Sequence, residues 1–125
     1  MEIGKKALVV DDSKLTQKQL AQILTDCGVE VLGFASNGAE AVEKYKELRD
    51  QLDIITLDIT MPVMDGLSVL KKILEMDAQA KILMVTAIGK ESIIKTCMMN
   101  GASNFVIKPF HADKVKEIVR NIVAA

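Results

Sequence analysis

The apolar runs of this chain are short, and most of them stop at a charged or hydroxyl residue. Ala7-Leu8-Val9-Val10 is followed by Asp11-Asp12, and Ile54-Ile55-Thr56-Leu57 by Asp58. Ile82-Leu83-Met84-Val85 stops at Thr86, and Phe105-Val106-Ile107 at Lys108-Pro109. Short, largely apolar runs of this kind suit strands covered on both faces, as in a parallel sheet between helices. The carboxyl ends of such strands lie along one edge, where open α/β folds form their ligand sites. Three carboxylates, a hydroxyl and an ammonium delivered to that edge suit a hard cation and a phosphoryl group.

The segments between these runs carry the helical period. Strands are expected at 6–10, 30–35, 53–58, 81–86 and 104–108, each buried. A first helix is expected from the cap residue Ser13 to Cys27, with Leu20, Ile23, Leu24 and Cys27 facing inward and Gly28 as its stop. Asn37 with Glu40 three residues on has the spacing of a capping box and opens a second helix that buries Ala41, Val42, Tyr45 and Leu48. A third follows Asp65-Gly66 and turns Leu67, Leu70, Ile73 and Leu74 inward. A fourth, over roughly 90–100, ends at Asn100-Gly101. The fifth begins near Ala112 and shows the apolar stripe Val115, Ile118, Val119, Ile122. Five βα units of this kind predict a parallel sheet with helices on both faces.

Composition narrows the function classes. The chain has 125 residues, half of them hydrophobic, and a net charge of −1, so it has the mass for one packed domain and no overall attraction to nucleic acid or anionic membrane. No apolar run approaches the ~20 residues of a membrane span, and the first residues lack a secretory apolar region. Cys27 and Cys97 stand alone, as reduced packing residues of a cytoplasmic protein would. With His111 as the single histidine, a metal site built on two or more histidines is excluded.

If the first and third strands are neighbours, Asp11, Asp12 and Asp58 lie within a few ångströms of one another. At ~5 Å and an effective dielectric near 20, each pair repels by roughly 3 kcal/mol. Such a group either raises a pKa or holds a cation. A ligand set of oxygens alone favours Mg2+ or Mn2+ over zinc or copper.

Four blocks occur in order: Val-Val-Asp-Asp-Ser, Leu-Asp-Ile-Thr-Met-Pro-Val-Met-Asp-Gly, Val-Thr-Ala and Phe-Val-Ile-Lys-Pro-Phe. Through them the chain resembles the receiver domain of two-component response regulators, most closely the single-domain chemotaxis (CheY-like) type, over nearly its whole length. The resemblance implies a three-layer, doubly wound, five-stranded parallel sheet of the flavodoxin-like class, with strand order 2-1-3-4-5. It also implies that residues 1–125 form one receiver domain without an output domain. Asp58 would be the phosphoacceptor, served by a histidine kinase in a Mg2+-dependent reaction. Asp12, Asp58 and the backbone carbonyl of Thr60 would hold the cation directly, with Asp11 acting mostly through a bound water. Lys108 would neutralise a phosphoryl oxygen, aimed by a cis bond to Pro109, and Thr86 would bond another.

In the family, Thr86 and Phe105 would act as a switch: the hydroxyl moves to the phosphoryl group and the aromatic turns into the vacated space. Phe105 lacks the phenol hydroxyl common at this position, which eases its burial. The output face would run over the fourth helix, fifth strand and fifth helix, with Lys90, Lys95, Lys114 and Lys116 on it. One of Met98 and Met99 is expected there as a contact and the other in the core. Thr60 and Ile88 would flank the path of the hydrolytic water, and neither offers an amide or acid, so slow autodephosphorylation is implied. The implied role is therefore a cytoplasmic, monomeric phosphoacceptor switch rather than an enzyme. Its partners would be a histidine kinase, an effector such as a flagellar motor switch component, and a phosphatase, with no nucleic acid or membrane insertion.

Four alternatives share parts of this pattern, one of them a degenerate receiver used only as a scaffold, against which the full set of acidic, hydroxyl and lysine residues speaks. A single-domain phosphorelay intermediate or phosphate sink would have the same site and different partners. A flavodoxin-like FMN carrier would need a Ser/Thr/Gly-rich loop in place of Asp11-Asp12-Ser13, and aromatics to sandwich the ring, where the chain has no Trp and one Tyr. An aspartyl-phosphate hydrolase would place a second aspartate where Thr60 stands.

Overall fold

In the computed structural model, which describes residues 4–87 and 89–124, strands and helices alternate along the chain. The elements are β1 (Lys5–Val10), α1 (Lys14–Asp26), β2 (Val29–Ala35), α2 (Gly38–Leu48), β3 (Ile54–Asp58), α3 (Gly66–Met76), β4 (Ile82–Ala87), α4 (Glu91–Met99), β5 (Asn104–Lys108) and α5 (Ala112–Ala124). The strands form one parallel sheet in the order β2-β1-β3-β4-β5. That is the architecture and strand order implied by the resemblance. All five carboxyl ends share one edge.

A strand's side chains alternate between faces, and here each face has its own core. Leu8 and Val10 of β1, Ile55 and Leu57 of β3, and Ile82 and Met84 of β4 pack with α2, α3 and α4. Ala7 and Val9, Ile54, and Leu83 and Val85 pack with α1 and α5. The central strands are buried on both faces, as their continuous apolar composition predicts. The outer strands differ from the expectation of full burial: β2 and β5 are only partly covered, because each has a neighbour on one side only. A register shift between Ala7 and Leu8 in the β1–β2 pairing sets Phe34 beside Val9.

The helix boundaries follow local chemistry. Ser13 Oγ accepts from Thr16 N–H, Asn37 Oδ1 from Glu40 N–H, and Asp65 Oδ1 from Ser68 N–H. Glu40 reaches back to the N–H of Ser36 rather than to that of Asn37, one residue earlier than a strict capping box. Gly28 and Gly101 take φ of 82° and 108° just beyond α1 and α4, as C-terminal stops require. Three expected faces are corrected. In α3 the fully buried residues are Val69, Leu70 and Ile73, while Leu67 and Leu74 are partly covered; in α2, Leu48 is also partly covered. In α4, Ile94 and Cys97 point inward and both Met98 and Met99 are exposed, so neither methionine is core.

The loop from β3 to α3 is held tightly. Gly66 N–H donates to Ile59 O at 2.7 Å, and a Cβ on Gly66 would come within 2.6 Å of Ile59 Cα and closer still to the carbonyl oxygen of Asp58. Only a glycine lets α3 start against the backbone that carries Asp58. Within the loop, Met64 N–H donates to Pro62 O at 2.8 Å around Val63, whose φ is 71°. This is a γ-turn in its rarer form, strained for any L residue and most of all for a β-branched one. One urea series tests both features. Gly66→Ala lowers unfolding stability by about 1–3 kcal/mol through overpacking, whereas Val63→Gly raises it by about 1 kcal/mol. A neutral Gly66→Ala would contradict the packing.

Candidate functional site

The strand pairing that builds the sheet also assembles the site. Val10 lies opposite Leu57, so Asp11, one residue beyond β1, is level with Asp58 at the end of β3. One oxygen from each of Asp11, Asp12 and Asp58 lies within 4.8 Å of the others. Asp11 is fully buried, Asp58 nearly so, and Asp12 is exposed. Lys108, at the end of β5, spans the gap between strands. Its Nζ is 3.0 Å from Asp11 Oδ2 and 3.9 Å from Asp58 Oδ1. The peptide bond that follows it, to Pro109, is cis.

The charges do not balance. At an effective dielectric near 20, each carboxylate pair at this separation repels by roughly 3 kcal/mol, and each Lys108 contact attracts by roughly 4–6 kcal/mol. Attraction and repulsion are then similar in size, and nothing remains to offset the desolvation of buried carboxylates. The consequence appears at Asp58. Burial, then the Asp11 charge, and then Asp12 push its pKa up to about 7, against the pull of Lys108. Asp11 Oδ2 is buried and, despite the nearby ammonium, accepts no hydrogen bond of good geometry. Three carboxylates against one ammonium leave two uncompensated negative charges when all are ionised. An oxygen-only set with that excess and an orphaned carboxylate oxygen fits a divalent hard cation.

The remaining residues expected at the site are placed as follows. Thr60 is exposed, and its N–H approaches Asp58 Oδ1 at 3.4 Å. Thr86 is buried near the end of β4, and its hydroxyl reaches Ala87 O at only 3.4 Å, beyond the range of a firm hydroxyl bond. That hydroxyl is free to find a better acceptor. Phe105 is half-buried against the core of α2, α3 and α4, opposite Met84. By strand alternation, Thr86 shares that face. Ile88 lies outside the described residues. Lys90, Lys95 and Lys114 are exposed and Lys116 is partly covered.

Two features were not anticipated from the residues. Gln17 is buried on α1 beside the acidic loop, donating to the backbone carbonyl of Asp11 at 2.7 Å. The stripe Leu20, Leu24, extended back one turn, reaches it, so the period held the signal. Ser13, besides capping α1, donates its N–H to Asp11 Oδ1 at 2.9 Å.

Fold and site together define a doubly wound α/β domain with an acidic, cation-fitting edge, a partly buried lysine against it and a weakly held hydroxyl. Residues 7–120 match the response regulator receiver domain family. The chain is 46% identical over 117 residues to the chemotaxis protein CheY of Bacillus subtilis, covering 94% of this chain and 96% of that one. It is 42% identical over 120 residues to the chemotaxis protein CheY of Thermotoga maritima, covering 96% and 98%. Among solved structures, CheY in the CheX-CheY-BeF3-Mg2+ complex from Borrelia burgdorferi aligns with a TM-score of 0.91 at 45% identity, covering 94% of this chain and 88% of that one. The chain belongs to the response regulator receiver domain family, whose general function is to accept a phosphoryl group on an aspartate. Among the described residues, no helix is long and apolar enough to cross a membrane.

The raised Asp58 pKa makes stability depend on pH. Between about 4 and about 7 the folded state holds a proton that the unfolded chain has released, so stability falls as pH rises through that window. In EDTA, Asp58→Asn removes this dependence and is more stable than the parent at pH 8 by roughly 2–4 kcal/mol. Guanidinium unfolding at pH 5 and pH 8 measures it. Equal stability of parent and variant at pH 8 would contradict the electrostatic account.

Proposed function

We propose that this chain is a phosphoacceptor switch in chemotaxis signalling, with Asp58 as the residue that takes the phosphoryl group. The observation that carries the reading is the position of Asp58. It is buried at the end of β3, crowded by Asp11 and Asp12, and within 3.9 Å of the Lys108 ammonium. A carboxylate is a weak nucleophile, and an approaching phosphoryl group is itself anionic. The site must therefore neutralise charge before anything else.

Asp11, Asp12, Asp58 and the backbone carbonyl of Thr60 would hold Mg2+, and Mn2+ has the same ligand preference. When bound, the cation neutralises carboxylate and phosphoryl oxygens together. An Asp58 oxygen attacks phosphorus in line. The P–O bond forms as the P–N bond of a kinase phosphohistidine breaks, and the electron pair leaves on the imidazole nitrogen. Lys108 places its ammonium on a phosphoryl oxygen. The phosphoryl group stays on the protein, so the chain consumes a donor without turning over a separate substrate.

Thr86 and Phe105 carry the change outward. Thr86 exchanges its weak contact with Ala87 O for a charged acceptor, which is worth roughly 1.5–3 kcal/mol. A second such bond, from Lys108, brings the sum near the ~5.5 kcal/mol that turns a 1:99 equilibrium into 99:1. Phe105, on the same face of the sheet as Thr86, then turns inward and alters the surface formed by α4, β5 and α5. Relatives named as chemotaxis protein CheY in Bacillus subtilis and Thermotoga maritima support a chemotaxis role. A histidine kinase would be the donor and a flagellar motor switch component the effector, both meeting the chain in the cytoplasm. The Borrelia burgdorferi complex supports a CheX-type partner. Thr60, with a single hydroxyl and no amide or acid, supports a long-lived acyl phosphate.

Acetyl phosphate and Mg2+ test the reading by intact mass. The expected result is one base-labile phosphoryl increment on the native protein, absent in Asp58→Asn and in EDTA, and formed at least ~10-fold more slowly in Lys108→Ala. An increment that survives Asp58→Asn would overturn the assignment. Thr60→Asn should shorten the lifetime of that increment severalfold, and an unchanged lifetime would remove the role given to Thr60.

A further inference from the structure

Two of the three carboxylates sit on the short β1–α1 loop, and the bonds that hold this loop can be traced group by group. Asp11 N–H donates to Ala35 O at 3.0 Å, and its Oδ1 accepts from Ser13 N–H. Its carbonyl accepts from Gln17 Nε2 at 2.7 Å. Gln17 is only 5% exposed, and the same nitrogen donates to Ser36 Oγ at 3.2 Å on the β2–α2 loop. Because a backbone carbonyl can only accept, the amide nitrogen must be the atom facing Asp11. Ser36 is itself anchored: its Oγ accepts from Lys14 Nζ at 3.3 Å and its N–H donates to Glu40 Oε1 at 2.6 Å.

The carbonyl of Asp11 lies in the peptide plane that joins Asp11 to Asp12. Clamping that oxygen fixes the plane, and with it the direction in which the exposed Asp12 leaves the strand. A merely core-filling residue at position 17 would need no amide, since its neighbours on the stripe, Leu20 and Leu24, are apolar.

We propose that Gln17 is a positioning residue for the divalent-cation site, tying the Asp11–Asp12 peptide to Ser36 so that the carboxylates converge before the cation arrives. This rests on the reading of Asp11, Asp12 and Asp58 as the Mg2+ ligands. Outer partners that orient metal ligands typically contribute 10–100-fold to affinity. Gln17→Met keeps the length and removes both donations.

Calorimetric titration of the full chain with Mg2+ is the test, run on the parent, Asp12→Ala, Gln17→Met, Ser36→Ala and the double variant at positions 17 and 36. The parent should bind and Asp12→Ala should lose most of that binding. Gln17→Met should weaken the Kd by about 10-fold or more. Ser36→Ala should weaken it less, and the double variant should be no weaker than Gln17→Met alone, because both changes break one chain of bonds. Leu20→Val, a core change on the same helix, should lower stability in EDTA and leave the Kd unchanged. A folded Gln17→Met that binds within about twofold of the parent overturns the positioning role while the Mg2+ reading stands. If Gln17→Met does not fold, a parental Kd in Ser36→Ala overturns it instead. A parent chain that takes up no Mg2+ overturns both.

Discussion

Like charges forced together at one edge of the sheet set the character of this molecule. Asp11, Asp12 and Asp58 bring oxygens within 4.8 Å of one another, and among the described residues Lys108 is the cation within salt-bridge reach of two of them. No local preference of the chain would choose that arrangement. It is imposed by the pairing of β1 with β3 and by the two cores that clamp the sheet, at roughly 1.5–3 kcal/mol per fully buried aliphatic side chain. The rest of the fold supplies the stability that the acidic edge spends. When all three carboxylates are ionised, that edge carries a pair of negative charges that Lys108 does not balance.

Strand alternation then divides the labour between the faces of the sheet. Asp58 follows Ile54 and Thr56, and Lys108 follows Val106, on the side covered by α1 and α5. Thr86 follows Ile82 and Met84, on the side covered by α2, α3 and α4, where Phe105 also packs. A group bound at the rim is thus in reach of both faces. On the proposed reading, Lys108 would meet it from one side and Thr86 from the other, and a local charge change would have a route into the core beneath α4. The loop from Ile59 to Asp65 closes the third side, held by Gly66 against the Asp58 backbone and bent through the strained turn at Val63.

Much of this was legible in the residues, and for identifiable reasons. Continuous apolar runs ending in Asp11, Asp58, Thr86 and Lys108 announce buried strands and their functional edge together, because in a parallel sheet those ends coincide. Ser13 and Asn37 are cap residues in sequence and in structure, and Asp65, placed by the sequence only ahead of the third helix, caps it as well. The strand order came from the resemblance; periodicity alone cannot say which parallel strands are neighbours. What escaped was decided by packing between elements. Helical spacing allows Leu67 or Val69 to face the core, and only the seat of α3 against β3 selects Val69. Met98 and Met99 are apolar enough for a core, but nine-residue α4 turns only Ile94 and Cys97 inward. Valine is among the least suited residues for positive φ, so nothing at position 63 signals the turn. Gln17 looks like surface until the acidic loop is placed beside it.

The most direct measurement of the central claim is a pH titration of the Asp58 side-chain carboxyl by carbon-13 NMR, with and without Mg2+. Crowding at the acidic edge predicts a midpoint near 7 in the metal-free protein and a fall to the ordinary carboxylate range or below when Mg2+ is added. An ordinary midpoint in metal-free protein, unmoved by Mg2+, would contradict it.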